Sequence, residues 1–98
     1  MIRIVRSFDA QPGKFSQLLE IAEDIKGYLR SQGVEMELYR EPFGYSGRLH
    51  WHVDYEDAEA ASETVIDVVS NKRGQELVAR METLTEGHAD VSFLFEEL

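Results

Sequence analysis

Cysteine is absent from this 98-residue chain. That absence excludes disulfides, thiolate nucleophiles, iron–sulfur clusters and cysteine-held zinc, and it accords with a reducing, cytoplasmic setting. Long hydrophobic runs are missing too: none approaches the ~20 residues that a membrane-spanning helix needs. Met1-Ile2-Arg3-Ile4-Val5-Arg6 is too short and too charged for a signal peptide. Basic residues are scarce, 10 Lys and Arg against 19 Asp and Glu, for a net charge of −9. Such a field repels phosphate backbones and anionic lipid, so neither nucleic acid nor a membrane is expected as a partner. Internal repeats, low-complexity tracts and linkers are also lacking, and the length fits one domain spanning residues 1–98.

What is present is a globular composition, 43% hydrophobic, with aromatic residues spread along the chain. Ile2 to Phe8 is rich in β-branched residues and reads as a strand. Asp9-Ala10-Gln11-Pro12-Gly13 closes it, with Pro12 suited to the first position of a helix. Phe15, Leu18, Ala22, Ile25 and Leu29 then recur at three- and four-residue steps, one apolar face of a helix that Gly33 stops. Val34 to Phe43 and Arg48 to Tyr55 alternate with a period of two, and Pro42-Phe43-Gly44-Tyr45-Ser46-Gly47 joins them as an antiparallel hairpin. Asp57 is a candidate N-cap for a second helix with the stripe Ala58, Ala61, Val65 and Val68. A bend near Gly74 separates it from a short helix carrying Leu77, Met81 and Leu84, and His88 to Leu98 alternates as the last strand.

The order strand–helix–strand–strand–helix–strand defines an α+β, ferredoxin-like βαββαβ fold, a four-stranded antiparallel sheet with its helices on one face. Leu49, Trp51, Val53 and Tyr55 should pack under the helices, which puts Arg48, His50, His52 and Asp54 on the open face. His88, Asp90, Ser92 and Leu94 are expected there too, as are Arg6 and Phe8, because small Val5 and Ser7 leave room for helices. Met36 and Leu38 are expected beside them. A half-apolar exposed face is best covered by a second copy, so the expectation is a homodimer whose sheets close face to face around a pocket. Phe93 to Leu98 is a candidate arm reaching across the partner.

Val5-Arg6-Ser7-Phe8 followed by Gln11-Pro12-Gly13-Lys14-Phe15, and Trp51, Val53 and Tyr55-Glu56-Asp57 leading into the Ala58/Ala61 helix, resemble the corresponding segments of the dimeric α+β barrel superfamily. The likeness is to its NIPSNAP-like and antibiotic-biosynthesis-monooxygenase-like members. The resemblance implies a homodimer with a pocket in each half, in a superfamily that includes cofactor-free oxygenases, haem-degrading enzymes and lactone isomerases. Arg6 and Ser7 stand where the oxygenase and haem-degrading members tend to carry an Asn on the first strand, a departure from their pattern.

His50 and His52 form the local pattern with most chemical content, since residues two apart on a strand project to one face. Zinc sites use that spacing, with Asp54 as a third candidate ligand, but the pair is read here as acid–base groups lining a pocket, with no metal and no cofactor. Imidazoles titrate near neutral pH and a neighbouring Asp54 or Asp90 would tune them. Arg6 would clamp a carboxylate or stabilise developing negative charge. The expected catalytic set is therefore His50, His52, Arg6, Asp54 and Asp90. Tyr39, Phe8, Ser92 and Leu38 are the expected substrate contacts, with Tyr45 on the rim. The function expected is binding of a small organic molecule between two copies, and its transformation by a cofactor-free monooxygenase- or isomerase-like reaction. The alternative is a non-catalytic module whose open face serves only to dimerise.

Overall fold

A computed structural model describes residues 1–41 and 47–96. The turn read over residues 42–46, with Tyr45 in it, and the last two residues of the expected arm lie outside the described residues. The elements run β1 (Ile2–Ala10), α1 (Phe15–Ser31), β2 (Met36–Arg40), β3 (Arg48–Tyr55), α2 (Ala58–Ser70), α3 (Lys72–Glu82) and β4 (Thr85–Phe95). The strands pair antiparallel in the order β2-β3-β1-β4, a ferredoxin-like sheet with the helices on one face.

The helix boundaries follow from local chemistry. Gly13 takes a φ of 76°, which a helix start does not accommodate, so Pro12-Gly13 forms a turn and α1 begins three residues later than Pro12 suggests. At the other end the Gly33 N–H donates to the Arg30 carbonyl at 3.0 Å and the Val34 N–H to the Leu29 carbonyl at 2.9 Å. With Gly33 at φ 81°, that is the paired glycine stop known as a Schellman motif. Asp57 caps α2 by accepting from the Ala60 N–H at 2.9 Å. The break between α2 and α3 falls at Asn71, not at Gly74. Asn71 Oδ1 accepts from the Arg73 N–H at 2.8 Å and so caps α3.

The core lies between sheet and helices. Leu18, Ile21, Ala22, Ile25 and Leu29 of α1 pack on Ile4, Phe8, Met36, Leu49, Trp51 and Val53 of the sheet, all buried. From α2 only Ala61 is buried, whereas Val65, Ile66 and Val69 are exposed. The expected α2 stripe is thus largely uncovered in the single chain.

The face assignment of β3 agrees with expectation, and that of β1 and β2 does not. Arg6 pairs with Trp51 and Phe8 with Leu49 in register, so Arg6 and Phe8 face the helices, with Phe8 buried. Met36 pairs with Val53 and Leu38 with Trp51, which puts both beneath the helices as well. The physical reason is hydropathic. Over the full length of β1, Ile2, Ile4, Phe8 and Ala10 share one side and Arg3, Ser7 and Asp9 the other, so burying the first set outweighs the convenience of small side chains near a helix. The open face is consequently polar, not half apolar.

Candidate functional site

The open face carries a row of polar contacts. A carboxylate only accepts, so the 2.6 Å contact between His50 Nε2 and Glu41 Oε1 places a proton on Nε2. The opposite nitrogen, Nδ1, lies 2.7 Å from the Ser7 hydroxyl and accepts its hydrogen when the ring is neutral. Both nitrogens of His50 are therefore engaged within the chain. On one side Arg48 binds Asp9 through two hydrogen bonds of 2.8 and 3.2 Å. On the other Arg3 binds Asp54 at 2.8 and 3.0 Å. The Arg48 guanidinium holds the Asp9 carboxyl below its ordinary pKa, and Arg3 does the same to Asp54. His52 stacks on Tyr39, ring centroids 5.3 Å apart at 25°.

Of the expected catalytic residues, His50, His52, Asp54 and Asp90 share this face, and Tyr39 and Ser92 lie with them. Arg6, Phe8 and Leu38 are on the opposite side of the sheet, so the structure does not bring Arg6 to the histidines. His88 departs from the Asp90 row as well. Four residues of β4 span the distance from Glu86 to Asp90 against two steps of β1 from Asp9 to Ser7, an irregularity that holds Gly87 at φ 64° and sets His88 in the wall of the interlayer cavity. Ser7, Glu41, Arg3 and Asp9 are the members of this row that sequence reasoning missed. The signal for Ser7 was the alternation of β1 read as far as Ala10.

The cavity behind the sheet has a different character. It is a half-open space of about 360 Å³ between the sheet and the three helices. Phe8, Trp51 and Val53 form its floor, and Leu29, Val68 and Met81 its roof. Polar groups are few: Arg6 and Thr64 in the wall, with Glu82, Thr85 and His88 toward its mouth. Arg6 also lines an adjoining apolar groove of about 480 Å³ bounded by Ile4, Ala61, Val65, Phe93 and Phe95. A wider cleft of about 590 Å³ lies where α1 ends, with Glu35, Glu37, Glu56, Glu63 and Asp67 on its walls. Among the described residues no three His, Asp or Glu side chains converge as metal ligands, and no helix is long and apolar enough to cross a membrane.

No family model matches the sequence, and no curated protein matches it. Solved structures do match in fold. An uncharacterized NIPSNAP domain protein from Burkholderia xenovorans superposes with a TM-score of 0.85 at 17% identity, over 99% of this chain and 95% of that one. An antibiotic biosynthesis monooxygenase superposes at 0.82 with 11% identity over 100% of both chains. SnoaB, a cofactor-independent oxygenase from Streptomyces nogalater, does so at 0.76 with 11% identity, over 99% and 93%. The chain therefore has the fold of NIPSNAP-domain and antibiotic-biosynthesis-monooxygenase-like proteins, as its first strand and its strand-to-helix segment suggest.

Proposed function

We propose that this chain forms a homodimer and binds a small, largely apolar organic molecule between its sheet and helices. The observation that supports binding is the cavity itself. A half-open space of about 360 Å³ floored by Phe8 and Trp51 falls in the ~300–1,000 Å³ range of small-molecule sites. On this reading the ligand sits behind the histidines, not among them. Dimerisation is supported by β4, an edge strand whose Phe93, Leu94 and Phe95 are 59%, 51% and 71% exposed. A greasy edge on both faces is a surface that proteins normally cover. The polar open face helps in part, because Arg3 with Asp54 and Arg48 with Asp9 are already paired in-chain and need no partner groups when a second sheet closes over them.

The two solved oxygenases suggest a narrower, catalytic reading. The expected histidines do not support it: His50 and His52 lie across the sheet, and both nitrogens of His50 are occupied. Binding without transformation is the reading the residues favour. Light scattering at low micromolar concentration is expected to give twice the 11.3 kDa chain mass. Titration with planar aromatic and medium-chain aliphatic compounds is expected to quench Trp51, the sole tryptophan. A monomer with an unresponsive tryptophan overturns the proposal.

A further inference from the structure

The geometry points to Arg6 as the anchor for a carboxylate on the ligand, making that ligand an apolar organic acid; this rests on the cavity reading above. Arg6 is a half-buried guanidinium on the apolar face of the sheet. Its neighbours on that face are Ile4 and Phe8 along β1, Trp51 on β3 and Val91 on β4, all apolar. Among the described residues it makes no ion pair and no side-chain hydrogen bond; Arg3, Arg48, Arg30 and Arg73 each have a carboxylate partner, and Arg40 and Arg80, which have none, are exposed.

Taking a guanidinium partly out of water with no counter-charge is unfavourable, and cationic side chains in such places are ordinarily paired. Among the described residues Glu82 is the sole carboxylate lining the same cavity; it is exposed and lies beyond ion-pair distance of Arg6. An incoming carboxylate supplies the missing partner, and the planar five-donor fork of arginine suits two-point binding of one. The net charge of −9 does not forbid an anion. At physiological salt, exposed charges are screened beyond a Debye length of about 8 Å, so the local cation decides. The rest of the ligand is set by the cavity, whose aromatic floor and aliphatic roof fit a planar ring system or a medium-length alkyl chain.

The test compares acids with neutral isosteres by calorimetry: 2-naphthoate against 2-acetylnaphthalene, and decanoate against 2-undecanone. The wild-type protein is expected to bind at least one acid ten times or more tighter than its ketone. Arg6→Gln is expected to erase that preference while leaving ketone affinity within about twofold, with unchanged circular dichroism. Equal binding of acid and ketone by the wild type, or a preference that survives Arg6→Gln, overturns the anchor and leaves the cavity reading standing. Failure of all four compounds to bind overturns both.

Discussion

Phe8 of β1 and Trp51 of β3 hold their rings 4.5 Å apart, tilted by 42°. They form the floor of the cavity and also part of the core, so one contact serves stability and site alike. Replacing Phe8 by Ala removes the tilted aromatic pair and leaves a void that the rigid strands cannot collapse. The expected loss is about 3–5 kcal/mol, read from chemical denaturation, with a red-shifted Trp51 emission in the native baseline.

Two glycines in helices should respond oppositely to the same substitution. Gly27 sits exposed in the middle of α1 with nothing within 4 Å of an added Cβ, so Gly27→Ala is expected to stabilise by about 0.5–1 kcal/mol through helix propensity. Gly74 packs so closely that a Cβ would lie 2.3 Å from the Val68 carbonyl oxygen. Gly74→Ala is therefore expected to lower the melting temperature despite the same intrinsic gain, since a backbone atom cannot give way.

Acid should weaken the fold through the open face. Asp9 and Asp54 have their pKa values lowered in the native state by Arg48 and Arg3. The stability they contribute is present above the unfolded carboxylate value, about 3.9. It is lost as pH falls through their lower folded values. Both pairs are about a third exposed, so the effect is modest and shrinks with added salt. The double variant Asp9→Asn, Asp54→Asn is expected to show a shallower decline in melting temperature between pH 5 and pH 2.

His50 and His52 separate the two surfaces experimentally. Changing both to Phe disturbs the Ser7–His50–Glu41 chain and the Tyr39 stack but touches no wall of the interlayer cavity. Ligand affinity is expected to stay within about twofold, while self-association measured by light scattering changes. A large loss of affinity would move the site back to the open face.

Phe95 is the most exposed large apolar side chain among the described residues, on an edge strand. Phe95→Asp is expected to leave the unfolding free energy within about 0.5 kcal/mol, as surface changes usually do. Its expected effect is on assembly, as a rise in the dimer dissociation constant measured by sedimentation.

Much of the fold was legible because its signals are local and repeated. The period-two alternation of Arg48 to Tyr55, the apolar stripe of α1 and the Asp57 cap each specify an element without reference to distant residues. The site was less legible because it depends on strand parity, which flips every side chain at once. Reading β1 only as far as Phe8 hid the balance that Asp9 and Ala10 complete, and that misplaced Arg6 and Phe8 together. The irregularity in β4 that turns His88 away from Asp90 involves a two-residue excess over β1, a pairing fact that a single strand does not carry. The Glu41–His50 bond likewise joins residues across a hairpin whose register no local pattern specifies.

Trp51 stands between His50 and His52, and Arg6 beside Ser7. The middle two strands are in effect a party wall, with one tenant's furniture fixed to each side of the same partition. Whatever shoves the indole from within also tugs the backbone on which both imidazoles hang, so occupancy indoors and company outdoors have to be measured together before either is credited to a single residue.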